Sequence, residues 1–338
     1  MINFQYARAT DVADAVRQLA ADPRAKFIAG GTNLIDLMKE DVERPTTLID
    51  ITHLPLKSVE ETAEGGLRIG ALVPNSDLAY HALIAQRYPM LASAILAGAS
   101  AQLRNMASTG GNLLQRTRCY YFYDTTTPCN KREPGSGCSA ISGLNRMHAI
   151  LGASEACIAT HPSDMCVALA ALDVKVHVAG PAGARTIAFP DFHRLPENTP
   201  QQDTNLRPDE IVTAIELPAR GFAKHYTYLK IRDRLSYAFA LVSVAAALEL
   251  EGNTVREARL ALGGVAHKPW RDPAAEAALR GQAATPATFA RAADLLLRDA
   301  KSYEHNSFKI DLAHRTIVRA LTQAAAGTPQ SQSDKRIR

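Results

Sequence analysis

Apolar residues at Val12, Ala15, Val16, Leu19 and Ala20 recur at helical spacing behind Thr10 and Asp11, and the stripe stops near Asp22 and Pro23. That pattern predicts a capped amphipathic helix. A short apolar strand, Lys26, Phe27, Ile28 and Ala29, then runs through Gly30, Gly31, Thr32 and Asn33 into a second helical run that starts at Leu34. Residues 45–51 read as another strand, so the chain opens with a small α/β unit. From Leu67 the pattern shifts to short strands and turns: a strand at 67–71, a helix begun by Ser76 and Asp77 and lasting to Ala85, and an alanine-rich helix at 90–97. A helical stretch at 166–172, a strand at 174–178 and a turn at 180–183 leading into 185–187 suit a hairpin. Residues 211–217 form a further strand, and 218–221 read as a linker. Strands at 223–231, 238–251 and 255–263 follow, the second long and apolar, and helices follow Pro273. The order fits a sheet covered by helices on one face.

Between Gly98 and Asp164 the periodicity disappears. Pro128, Pro134, Gly135 and Gly137 break both helix and strand, so this part should be an irregular loop. A loop so long needs something to order it. It carries Cys119, Cys129, Cys138 and Cys157 in a C-x9-C-x8-C-x18-C spacing. Four thiolates can bind a 4Fe-4S cluster or a zinc ion, because both take tetrahedrally disposed sulfur donors. Structural zinc usually presents close cysteine pairs, which are missing, and the bacterial ferredoxin spacing is missing too. Spacing alone therefore leaves unliganded thiols, iron-sulfur and zinc open. The fifth cysteine, Cys166, sits in an apolar helical stretch and reads as a small buried hydrophobe outside the ligand set.

Composition narrows the classes. The 338 residues are too many for one small core, and 46% hydrophobic with 21% charged residues is ordinary for a globular protein. A net charge of +4, with one basic cluster at 335–338, disfavours nucleic-acid binding. No apolar run reaches membrane-spanning length and the N-terminus lacks the regions of a signal peptide, which by itself predicts a cytoplasmic chain. An odd cysteine count clustered in one region of a large chain favours metal over a disulfide framework.

Two glycine turns are candidate cofactor contacts. AGGTNL at 29–34 lies between a strand and a helix, the geometry that points backbone amides at an anion. Its glycines are adjacent and no acidic residue follows at the expected distance, so it is not the dinucleotide fingerprint. Ser108, Thr109, Gly110, Gly111 and Asn112 form a second loop of the same make, and the pair could hold opposite sides of one extended cofactor. Each candidate has a plainer reading. Two glycines are ordinarily a turn, Ser163-Asp164 an N-cap, Lys230 a solvated strand end, the aromatic run 120–123 core, and His161 a turn residue.

At AGGTNL, QLRNMASTGGNLLQRTRC and SEACIATHPSDM the chain resembles the FAD-binding subunits of the molybdenum hydroxylase (xanthine dehydrogenase) family, and the likeness runs nearly end to end. RTRCYYFYD, PCNKR, PGSGC, RDRLSYAFALVSVAA and ALGGVAHKPWR look closest to the family's bacterial periplasmic aldehyde oxidoreductase branch. The resemblance implies an α+β fold: an FAD-binding PCMH-type part made of two α/β subdomains, 1–55 and 56–220, then a CO dehydrogenase flavoprotein-like C-terminal domain, 221–326, and a flexible tail, 327–338. It implies FAD with its pyrophosphate on Lys26, Phe27, Ile28, Ala29, Gly30, Gly31, Thr32, Asn33 and Leu34. A second contact would come from Ser108 to Asn112, and Asp164 and Lys230 would stand at flavin-contact positions.

Most relatives lack the cysteine-rich loop at about 115–160, and the branch that has it implies a 4Fe-4S cluster on Cys119, Cys129, Cys138 and Cys157. The implied protein is an electron-transfer subunit without catalytic residues of its own. A molybdopterin-binding large subunit would oxidise aldehydes, a 2Fe-2S small subunit would pass the electrons on, and FAD here would hand them to an external acceptor. Export of the folded trimer on a partner's signal would place it in the periplasm. The rival readings at this stage are a zinc-stabilised non-redox binding module, the FAD subunit of another molybdenum hydroxylase of xanthine dehydrogenase or CoA-ester reductase type, and a self-contained flavin oxidase for which His161 is the nearest acid–base candidate.

Overall fold

The computed structural model describes residues 2–327. The tail expected beyond Gly327, with its basic cluster, lies outside the described residues. The N-terminal unit is a parallel three-stranded sheet in which Thr47–Asp50 runs between Gln5–Arg8 and Lys26–Ile28. The helix Val12–Ala21 connects the two outer strands and buries Ala15, Val16 and Leu19 in a core shared with Ile49 of the central strand and with Ile211. Of the pair Thr10-Asp11, the aspartate is the cap: its carboxylate accepts from the Asp14 N–H.

A five-stranded antiparallel sheet follows, in the order Val59–Glu61, Leu67–Gly70, Ile211–Leu217, Lys175–Gly180, Gly183–Ala188. The expected hairpin forms its edge. The helix expected from 76 through 85 is instead two short helices, Asn75–Tyr80 and Ala82–Arg87, broken at His81, whose backbone is extended. Its cap is Pro74 rather than Ser76. The break has a packing reason. Leu78 and Ile84 are both fully buried, yet six positions apart they would face different sides of one continuous helix.

The third sheet is antiparallel, with Val242–Glu251 at its centre between Tyr226–Ile231 and Thr254–Gly263. The strand expected from 238 begins four residues later, and the preceding loop exposes Leu235 and Tyr237. Alternate residues of the central strand go to different cores. Val244, Ala246 and Leu248 join the core built with the helices Pro286–Leu297 and Phe308–Ala326, while Ala245 and Ala247 join the one that holds Pro89–Ala97 and Asp164–Ala171. Both faces are therefore covered, not one as expected. That is why the strand shows no polar alternation.

The C-terminal core has Phe289 at its centre, 1% exposed. Phe289→Ala should destabilise the protein by about 3–5 kcal/mol, read as a lower urea midpoint with FAD content at low denaturant unchanged.

Candidate functional site

A cavity of about 1600 Å³ opens where the three sheets meet. It is larger than the roughly 300–1,000 Å³ of common small-molecule sites and suits an extended ligand. Every residue expected to contact the cofactor lines it except Thr109. Thr109 is fully buried and its hydroxyl donates to the Val73 carbonyl at 2.9 Å, so it anchors its turn to the second sheet instead.

The two glycine turns do different work. At the first, the backbone of Gly30 packs so closely on the Met106 carbonyl that a Cβ would lie 1.7 Å from that oxygen, and Gly31 adopts φ +71°. Only glycine satisfies the close approach, and glycine is strongly favoured at the left-handed conformation. Among the described residues, the amides of Gly30, Gly31, Thr32 and Asn33 meet no protein acceptor, and Asn33 Nδ2 is buried without a partner. Unpaired donors gathered on a cavity wall suit an acceptor-rich ligand, and a pyrophosphate is one. In the second turn the amides from Thr109 to Asn112 are all taken. Its residues form the short helix Thr109–Leu113, where Thr109 donates to Val73, Gly110 to Ala71, Gly111 to the Ser108 hydroxyl and Asn112 to the Ser108 carbonyl. It supplies a close wall rather than an amide cradle.

Asp164, at the start of a helix, and Lys230, on the third sheet, meet in the cavity. The cap of the helix Asp164–Ala171 is Ser163, which leaves the Asp164 carboxylate free to accept from Lys230 Nζ at 2.7 Å and from the Tyr228 hydroxyl at 2.6 Å. Lys230 is buried, not solvated, and also donates to the Ala97 carbonyl. Aromatic residues of the run 120–123 divide: Phe122 enters the core, while Tyr120 and Tyr123 line the large cavity.

The four loop cysteines line one small cavity, with Thr117, Tyr121 and Lys131 among its walls. Burial pushes the Cys119 thiol up to about 12. Cys138 and Cys157 act on one another: the neighbouring Cys157 thiol holds Cys138 down to about 6, and Cys138, with burial, raises Cys157. One of the pair thus gives up its proton readily, as a metal ligand must. The thiols of a single tetrahedral ion would stand roughly 3.8 Å apart. Among the described residues, the group whose ligand atoms all fall within 4.8 Å is His161, Cys166 and His193, not the loop cysteines. That group is a chain of neutral imidazoles. The Ser163 N–H donates to His161 Nδ1, and His193 Nε2 donates to the Leu113 carbonyl. Burial holds both rings well below the usual histidine range, His193 at about 4, so His161 is a structural residue.

Charged residues that sequence patterns did not single out tie the two cavities together. Arg116 joins Glu43 at 2.7 Å and Asp203 at 2.9 Å, and Asp203 also takes Lys131, whose side chain is 1% exposed. Burial would raise the Asp203 carboxyl, but Lys131 and Arg116 outweigh it and hold it well below the usual range. The residues stand up to 160 positions apart, from 43 to 203, so no local signal could have grouped them. The loop also forms a wall of the large cavity through Arg118, Tyr120 and Met147, which flank the cysteine site.

An α+β chain whose amide-lined glycine turn faces a cavity large enough for an extended ligand fits the class of nucleotide-cofactor-binding proteins, and its sequence relatives define which kind. The chain belongs to the family of FAD-binding domains in molybdopterin dehydrogenases, matched over residues 2–220, and residues 225–324 match the CO dehydrogenase flavoprotein C-terminal domain. The expected fold is the one found. The chain is 53% identical over 324 residues to the aldehyde oxidoreductase FAD-binding subunit PaoB of Escherichia coli, covering 96% of this chain and 98% of that one. It is 30% identical to the glyceraldehyde dehydrogenase medium chain of Sulfolobus acidocaldarius, over 79% and 78% of the two chains. Among solved structures, the carbon monoxide dehydrogenase of Hydrogenophaga pseudoflava superposes with a TM-score of 0.76 at 26% identity, over 97% of this chain and all of that one.

Gly30→Ala should weaken FAD retention at least about tenfold, because the added methyl must push the first turn off Met106; flavin fluorescence released on dilution measures it. Asp203→Asn leaves Lys131 buried and unpaired and should cost about 3 kcal/mol, toward the low end because the Asp203 side chain keeps 30% exposure. The folded carboxyl is depressed, so its contribution is complete above about pH 4 and fades as the pH falls below that. The stability gap between wild type and Asp203→Asn, followed by urea unfolding, should be full at pH 6 and shrink on acidification.

Proposed function

We propose that this chain is the FAD- and 4Fe-4S-holding electron-transfer subunit of a heterotrimeric molybdenum aldehyde oxidoreductase. Its partners are a 2Fe-2S small subunit and a molybdopterin-binding large subunit, and electrons drawn from aldehydes on the large subunit leave through this chain to an external acceptor. The observation that carries the reading is the placement of four thiols around one cavity beside an amide-lined cofactor cavity. The likeness to PaoB over nearly the whole chain supports it.

The residues fit both groups. Free amides at 30–33 would take the FAD pyrophosphate, the turn at 108–112 would close the opposite wall, and the Asp164–Lys230 pair would present a fixed carboxylate and ammonium to the flavin. Bound FAD supplies the exchange between one-electron and two-electron transfer that joins iron-sulfur partners to a soluble acceptor. Cys119, Cys129, Cys138 and Cys157 would hold the cluster, with the Lys131 ammonium near Cys157 compensating thiolate charge. All four line the same cavity, which suits a cluster that takes all four thiolates. His161 packs against the His193 ring, accepts from the Ser163 N–H and does not line the large cavity, so it is not placed to serve a self-contained oxidase. Export of the assembled trimer on a signal-bearing partner, into the periplasm, belongs to the same reading. Among the described residues no helix is long and apolar enough to cross a membrane.

The anaerobically purified complex should be yellow-brown and hold about four iron and four sulfide per copy of this chain beyond those of the small subunit. Cys138→Ser should lower that iron while leaving FAD bound. A colourless chain that contains zinc, or iron content indifferent to Cys138→Ser, overturns the proposal. Recovery of the complex in the cytosolic fraction alone would remove the export part of it.

A further inference from the structure

We infer that His148 is a positioning residue for the iron-sulfur site: its Nε2–H donates a hydrogen bond to the Cys119 sulfur and through it raises the reduction potential of the group held there. This rests on the cluster reading above. His148 Nε2 stands 3.1 Å from Cys119 Sγ, and the histidine is 3% exposed. Cys119 lines two neighbouring small cavities, the one shared by all four cysteines and a second towards Ser163 and Asp164; His148 lines only the second. The imidazole therefore approaches the sulfur from the side away from the other thiols, where a donor belongs and a fifth ligand does not.

The tautomer follows from the partner. A neutral imidazole carries one N–H, and a metal-bound thiolate only accepts, so the proton sits on Nε2. Nδ1 has no protein partner to compete for it. The ring is also held in place. The His148 N–H donates to the Asn145 carbonyl at 3.0 Å, and its own carbonyl accepts from Lys309 Nζ at 2.8 Å and Asn306 Nδ2 at 3.3 Å. The Lys309 ammonium also reaches the Gly264 carbonyl at 2.6 Å, and Tyr121 lies tilted against the ring with centroids 6.4 Å apart. The C-terminal domain thus fixes the hydrogen bond that a cysteine of the loop receives. Donation to sulfur draws off electron density and stabilises the reduced, electron-rich state more than the oxidised one.

His148→Phe keeps the bulk and removes the donor. In the holo complex, an EPR-monitored redox titration should show the cluster of this chain at a lower midpoint potential than in wild type, with iron content unchanged. His148→Gln, which keeps an N–H, should fall between the two. Should the Phe variant fail to assemble, His148→Met carries the same expectation. An unmoved potential at full iron content overturns the inference and leaves the cluster reading standing. Loss of this chain's iron in His148→Phe together with its retention in Cys119→Ser would make the histidine a ligand, and also overturns it. Wild-type complex without this chain's iron fells both together.

Discussion

The cysteine segment has almost no helix or strand between residues 124 and 163, yet much of it is buried, so its carbonyls cannot turn to water. Side-chain donors satisfy them, and that constraint shapes everything around. Arg132 donates to the carbonyls of Tyr121, Phe122 and Thr127; Asn130 reaches Ala156; Lys131 caps Pro200; Lys309 caps Met147, His148 and Gly264. Removing Arg132 or Lys309 would strand three carbonyls at once. Burial drives the Lys309 ammonium down to about 7, so the carbonyls do not fully replace the water it has lost.

Those same donors couple the loop to the rest of the molecule. Lys131 reaches Asp203, and through it Arg116 and Glu43, at the rim where Lys26 begins the amide-bearing turn. Lys309 ties the loop to the long C-terminal helix. The loop therefore stands between two otherwise separate parts and is gripped by both. A group bound to its thiols would sit in a frame set by the whole chain, close to the wall it shares with the cofactor cavity.

The third sheet shows a similar economy. Because its central strand buries alternate residues in two cores, one element serves as the support of the C-terminal helices and as the floor beneath Pro89–Ala97 and Asp164–Ala171. That double packing is what delivers Lys230 and Tyr228 of the sheet to the Asp164 carboxylate at the start of the helix packed on it. An ion pair formed in this way is held on both sides by packed elements, and it costs little flexibility at the cavity.

Much of this was legible along the chain. Periodicity located the first helix, the hairpin at 174–187 and the C-terminal helices; the glycine turn at 30–31 announced itself by type, and the loop by its prolines, glycines and cysteines. Long strings shared with known flavoproteins named the family. These are local facts, carried by residue type and spacing within one element. Whether His81 breaks a helix, whether Thr109 faces a cofactor or the Val73 carbonyl, and whether Lys230 is solvated or paired depend on what packs opposite. So do the links from Glu43 to Asp203 and from Cys119 to His148, which join residues far apart in sequence. Spacing along a chain encodes one face of one element. Only folding decides which two faces meet, and the charge of a buried group is set where they do.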